Sequence, residues 1–125
     1  MLIRRFCGFA MTVGLSATGC GGGSDSLTPR ESCEHAQSGL CERVYACFTP
    51  AQISAAGLPP TEAECVTGTE SDKDCAHKTL ANACVGSESY HGDQARLCAD
   101  QVSALTCSQL SDVDAATPAC AMVCS

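Results

Sequence analysis

The sequence predicts a mostly α fold: a small disulfide-rich domain of four or five short helices joined by long loops. Three observations carry that expectation. Apolar residues recur at helical spacing behind capping residues in several segments. No alternating run of β-branched residues exceeds a few positions. Ten cysteines are dispersed from Cys33 to Cys124 in a chain of 125 residues, a length that accommodates one domain.

The first element is the clearest. Thr28-Pro29-Arg30-Glu31 has a capping threonine, a proline suited to the first helical position and a glutamate that closes a capping box. Behind it, Cys33, Gln37, Leu40, Val44, Cys47 and Phe48 share one helical face, with Cys41 at its edge. One helix from Pro29 to Cys47 follows, and it absorbs the cost of about 1 kcal/mol that Gly39 carries relative to alanine. Pro50 ends it, and Ala51–Gly57 forms another turn or two. Leu58-Pro59-Pro60 is a stiff connector. Thr61-Glu62-Ala63-Glu64 repeats the capping box and opens a short helix bearing Cys65. Gly68–Lys73 reads as polar loop, Asp74–Val85 as a helix by composition, and Gly86–Gly92 as loop. Asp93 caps a helix with Ala95, Cys98, Val102 and Leu105 on one face; that helix stops near Thr106, or else Cys107 ties down its back. Ser111–Ala116 is loop. Thr117-Pro118 starts a last short helix in which Cys120 and Cys124 share a face. No internal repeat and no heptad run stands out.

The apolar composition is thin for a core. After Cys20 there is no Trp, the aromatics are Tyr45, Phe48 and Tyr90, and the large aliphatics are seven Leu, six Val, one Ile and one Met. So little bulky surface stabilises a domain of this size poorly. Disulfides are the expected remedy. The ten cysteines Cys33, Cys41, Cys47, Cys65, Cys75, Cys84, Cys98, Cys107, Cys120 and Cys124 form an even, dispersed set, and five bridges would contribute about 2–4 kcal/mol each. Sequence leaves their pairing open. Zinc is disfavoured, because no Cys-x-x-Cys occurs and neither Cys120/Cys124 nor Cys75-Ala76-His77 has a matching partner pair. The same absence disfavours thioredoxin-like redox work. Only Cys65 and Cys75 fit the spacing of a twin Cys-x9-Cys hairpin, and no second unit accompanies them.

The chain has a formal net charge of −7. Arg4 and Arg5 precede Cys20, whereas all 14 acidic residues follow it with five basic ones, so the portion from Cys20 onward carries −9. Such a surface repels phosphate backbones, which argues against nucleic acid as a partner.

Met1–Arg5 is short and positive, and Phe6–Ala17 is an apolar run too short for the roughly 20 residues that span a bilayer. This is the layout of a signal peptide. Ala17-Thr18-Gly19-Cys20 resembles the lipobox of bacterial lipoprotein precursors, with Ala17 where that family most often has Leu. The resemblance covers Met1–Cys20. It implies cleavage before Cys20, a diacylglyceryl group on the Cys20 thiol, and a membrane partner reached through that lipid. It also implies an outer-membrane address in a double-membraned host, since Gly21 rather than Asp follows the cysteine. Gly21–Ser26 has the composition of a flexible tether. The expected organisation is a signal peptide over 1–19, a lipidated cysteine with its Gly/Ser-rich tether over 20–28, and a cysteine-rich helical domain over 29–125. The rival reading is an ordinary signal peptide cut elsewhere, with Cys20 a thiol. Arg4-Arg5 hints at a twin-arginine route, but the flanking residues fit it poorly.

No motif names a reaction, a cofactor or a metal. His35 falls on a solvent face; His77 and His91 flank the Cys84 region, either one a candidate general base without a recognisable nucleophile. Gly86-Ser87-Glu88-Ser89 lacks the second glycine of a nucleophile elbow. Asp72 and Asp74 lack the glycine and distal glutamate of a calcium loop. The expected function is therefore a lipid-anchored extracytoplasmic protein of the cell envelope, a non-catalytic binding or envelope-structural module with an envelope or extracellular protein as partner. The alternatives are a small secreted-type protease inhibitor presenting Leu58-Pro59-Pro60, and a small lipid-anchored hydrolase using His77 or His91.

Overall fold

The computed structural model describes residues 25–125; the signal-like segment, Cys20 and the first residues of the tether lie outside the described residues. The fold is mostly α and disulfide-rich, with five α-helices and three 3-10 turns: α1 (Pro29–Cys47), α2 (Pro50–Ala55), α3 (Glu62–Asp72), a turn at Cys75–His77, α4 (Gly92–Ser103), a turn at Cys107–Ser111, α5 (Val113–Ala116) and a turn at Pro118–Met122. Among the described residues, β structure is limited to one antiparallel bridge between Tyr90 and Cys124.

α1 is the axis. Its capping box forms as the sequence dictates: the Glu31 amide donates to Thr28 Oγ1 at 3.3 Å, and the Thr28 amide donates back to Glu31 Oε2 at 2.9 Å. These bonds hold the Glu31 carboxyl below its ordinary value, the backbone bond to Thr28 contributing most. α4 packs along one side of α1 and α3 along another. Gly39 is buried on α1 against the C-terminal part of α4. A Cβ there would lie 3.2 Å from Val102 Cγ1 and 3.4 Å from Ser103 Oγ. The glycine that weakens the helix in isolation thus permits its main contact.

The core lies between α1, α4 and the C-terminal turns. Cys98, Val102, Leu105 and Ala119 are buried together, with Leu40, Leu110, Val113 and Val123 packed around them. A second cluster joins Leu27, Ala95 and Ala99 to Tyr90 and Val123. It is small, as the composition foretold.

Sulfur supplies the rest. The five bridges are Cys33–Cys75, Cys41–Cys65, Cys47–Cys107, Cys84–Cys124 and Cys98–Cys120. Three of them hold α1 at successive heights. Numbered along the chain, the first five cysteines and the last five follow one pattern: outer pair, inner pair, and a middle cysteine left over. The two middle cysteines, Cys47 and Cys107, join the halves. A repeat invisible in the residues is thus present in the connectivity.

Several local expectations are corrected. Gly68–Lys73 is not loop, because α3 runs on to Asp72. The Thr69 hydroxyl bonds back to the Cys65 carbonyl at 2.9 Å and meets Cys41 Sγ at 3.8 Å, so packing on α1 overrides the polar composition. Asp74–Val85 is not a helix beyond the turn at Cys75–His77. Asp74 takes a left-handed conformation (φ 53°) that stops α3. The Asn82 side chain then accepts from the Thr79 amide at 2.7 Å and donates to the His77 carbonyl at 3.0 Å, competing with helical bonds. α4 starts at Gly92 with His91, not Asp93, in the cap position. It stops at Ser103, which frees Cys107 to reach Cys47. Ser111–Ala116 contains α5, capped by Asp112 through the Ala115 amide at 3.4 Å. Cys120 and Cys124 share no helix; the last turn ends at Met122, and the two sulfurs go to different partners.

Candidate functional site

Two concave surfaces lie at different places along α1. The first is apolar. Phe48 leaves the C-terminus of α1 in an extended conformation, and Thr49-Pro50-Ala51-Gln52 immediately caps and starts α2. Gly57 (φ +69°) closes α2: the Gly57 amide donates to the Ser54 carbonyl at 3.0 Å and the Leu58 amide to the Ile53 carbonyl at 3.1 Å. This is a Schellman ending, which brings Leu58 over Ile53. The chain then returns past the end of α1, where the Tyr45 hydroxyl donates to the Pro59 carbonyl. The result is a hook enclosing a groove of about 450 Å³ lined by Tyr45, Phe48, Ile53, Gly57, Leu58 and Pro60, with a second hollow of about 350 Å³ between Phe48 and Leu58.

Chemically this groove is a hydrophobic slot. Ile53 is buried at its base, while Phe48 and Leu58 stand 40% and 37% exposed on its walls. No acidic residue occurs from Arg43 to Thr61. Loss of hydration, and then the Glu64 carboxylate, hold the Tyr45 phenol above its ordinary value. Leu58-Pro59-Pro60, expected as a connector or inhibitory loop, forms a wall of the groove. Phe48, expected on the core face of α1, lies just past its end. The sequence signal for the hook was present: Thr49-Pro50-x-Gln52 has the form of the cap at Thr28.

The second surface is polar. A cleft of about 340 Å³ opens between α1, the end of α3 and the turn at Cys75–His77, and includes Arg30, Glu34, Glu70, Ser71, Asp74 and His77. Arg30 Nε pairs with Glu34 Oε1 at 2.7 Å, which raises the guanidinium pKa, the hydrogen bond contributing most. His77 Nδ1 lies 2.6 Å from Asp74 Oδ1, with the two side chains 79% and 68% exposed. The cleft thus joins His77 to a carboxylate and places Ser71 on the same wall. His91 is elsewhere, its amide donating to the Val123 carbonyl at 2.8 Å, and His35 is exposed. Asp74 engages His77 rather than converging with Asp72. Among the described residues no group of three or more His, Cys, Asp and Glu side chains is placed to hold a metal ion.

All ten cysteines from Cys33 to Cys124 are in bridges, so none of them presents a thiol to a substrate or a metal. Cys20 lies outside the described residues. Among those residues, no helix is long and apolar enough to cross a membrane. The chain matches no protein-family model, and no curated protein and no solved structure is significantly similar to it, so its functional reading rests on its own geometry and chemistry.

Proposed function

We propose that this chain is a lipid-anchored, extracytoplasmic binding module of the cell envelope. In this reading Cys20 carries the lipid, and the hydrophobic hook at the far end of α1 engages an apolar segment of an envelope or extracellular protein. The observation that carries it is the groove of Tyr45, Phe48, Ile53 and Leu58, held open by a cap, a Schellman ending and the Tyr45–Pro59 bond. The walls keep apolar side chains in water although a small, core-poor domain gains by burying them. Two further facts support the anchoring. Five disulfides call for an oxidising compartment, and Ala17-Thr18-Gly19-Cys20 resembles a lipobox. An acyl chain on Cys20 would add about 0.8 kcal/mol per buried methylene, and two or more chains hold a protein stably.

Two measurements test it. Intact mass of the native protein is expected to give a chain starting at diacylglyceryl-Cys20 whose other ten cysteines resist alkylation until reduced. An unmodified Cys20, or ten reactive thiols, overturns the anchoring. A photoreactive residue in place of Leu58, in living cells, is expected to give a discrete crosslinked product that disappears when Phe48→Asp is added. No product, or one unaffected by Phe48→Asp, overturns the binding role.

The His77–Asp74 contact beside Ser71 favours a second reading, a lipid-anchored hydrolase in which His77 acts as general base. Turnover of activated esters by the purified chain, abolished by both Ser71→Ala and His77→Ala, would establish it. Absence of turnover removes it.

A further inference from the structure

We infer that the loop carrying Leu80 and Val85 is a membrane-contacting surface that rests on the bilayer holding Cys20. The inference depends on the anchoring proposed above. It adds which face of the domain the membrane covers.

Leu27 is buried, and it is tied down at both its polar groups: its amide donates to the Gly92 carbonyl at 3.0 Å, and its carbonyl accepts from the Tyr90 hydroxyl at 2.8 Å. Gly92 leaves no room for a side chain, since a Cβ there would fall 2.7 Å from the Leu27 carbonyl oxygen and 2.1 Å from Ser26 Oγ. The root of the tether is therefore fixed against the start of α4. Five residues lie between Cys20 and Ser26, so six Cα–Cα steps span at most about 22 Å when fully extended. A lipidated Cys20 would thus hold this end of the domain close to the headgroups.

Leu80 stands at that end. It lines, with Leu27, Pro29 and Tyr90, a hollow of about 350 Å³ at the tether root. It is nevertheless 75% exposed, and Val85, five residues further along the same loop, is 79% exposed. These are the two most exposed of the large apolar side chains among the described residues. Scattered apolar residues on a surface need no explanation, but this loop is rigidly built. Asn82 bonds to both the Thr79 amide and the His77 carbonyl. Cys84 is bridged to Cys124, and Ser89 and Ser125 exchange backbone bonds at 2.9 and 3.2 Å. The fold spends a disulfide and several hydrogen bonds holding two aliphatic side chains in water.

Charge agrees. No carboxylate occurs from Cys75 to Ser87, and the run contains Lys78, in a chain whose acidic excess would otherwise repel anionic headgroups. The Phe48–Leu58 groove is a poor candidate for the same contact. It lies past the C-terminal end of α1, and a 19-residue helix is about 27 Å long. Tether and loop mark the N-terminal end. Tether root and binding groove thus lie at opposite ends of α1.

The chain contains no Trp, so a single substitution creates a unique fluorophore. The full acylated protein would be prepared with Leu80→Trp, Val85→Trp or, as control, Leu58→Trp, and reconstituted on phosphatidylcholine vesicles with brominated acyl chains. Thiol titration confirms the bridges in each variant. Leu80→Trp and Val85→Trp are expected to be blue-shifted on the vesicles and quenched at least twofold, with Leu58→Trp unchanged. Quenching at positions 80 and 85 that is absent, or no greater than at position 58, on vesicles that do carry the protein overturns this inference and leaves the anchoring intact. A chain that fails to float with the vesicles overturns both. Quenching confined to Leu58→Trp would assign the membrane to the groove instead, overturning this inference and the partner role of the hook.

Discussion

At the scale of single residues, Gly39 sets the spacing at which α1 meets Val102 and Ser103 of α4. Alanine there would relieve about 1 kcal/mol of helical penalty while crowding Val102, so Gly39→Ala is expected to change stability little. Leucine has no such compensation and should cost about 1–3 kcal/mol by overpacking the α1–α4 contact. For a domain of this size each kcal/mol lowers the melting temperature by about 4–8 °C, so thermal melting separates the two. An unchanged melt for Gly39→Leu would mean the helices do not meet there. Tyr90 gives a pH test. Burial raises its phenol above 10.0 while its hydroxyl donates to Leu27. Because the folded value exceeds the unfolded one, the neutral form is favoured by folding. Its contribution is complete below pH 10 and is lost as pH rises through the folded value. Tyr90→Phe should cost about 0.5–1.5 kcal/mol at neutral pH and remove part of the alkaline loss. Equal alkaline profiles for both proteins would contradict the burial of the phenol, and equal stability at neutral pH would contradict the bond to Leu27.

Among the elements, the bridge between Cys47 and Cys107 is distinctive. It alone joins the two stapled halves, and Cys107 is an exposed member whereas Cys41–Cys65 is buried at both ends. Graded reduction followed by peptide mapping is expected to open Cys47–Cys107 first. For its separation of 60 residues, chain entropy sets an upper bound of about 4 kcal/mol on its contribution. A Cys47→Ser, Cys107→Ser protein should therefore be weaker yet retain the other four bridges; scrambling of those four would show that the halves are not independent. Elements with local causes were legible from sequence. The cap at Thr28 and the proline at Pro50 bound α1 because both act through neighbouring backbone. Elements decided by distant partners were not: α3 outruns its polar composition because Cys65 and Thr69 meet Cys41, and residues 78–85 lose their helix to Asn82 and to the pinning of Cys84.

For the whole molecule, crosslinks replace the volume that a core of Leu105, Val102 and a few alanines leaves unfilled. Complete reduction is expected to abolish cooperative melting near 37 °C, read by circular dichroism in the presence and absence of a phosphine reductant; an unaltered melt would show that the apolar clusters suffice. The candidate site was only half visible in advance. Leu58–Pro60 drew attention as a segment, and the cap at Thr49 marks where the hook starts, but Tyr45 and Ile53 come from two helices and Phe48 from the joint between them, so the lining of the groove is not written in one stretch of sequence. Pairing was hidden for a related reason, and it has a consequence for biogenesis. No native partner of any cysteine is its nearest cysteine along the chain. If the chain is exported as proposed above, its thiols meet the oxidant in chain order, and first-come coupling would join Cys33 to Cys41 and Cys47 to Cys65. Maturation along that route would require reshuffling, so loss of the host's disulfide isomerase is expected to accumulate mispaired, protease-sensitive forms that added oxidant alone does not rescue, and native pairing without the isomerase would contradict this.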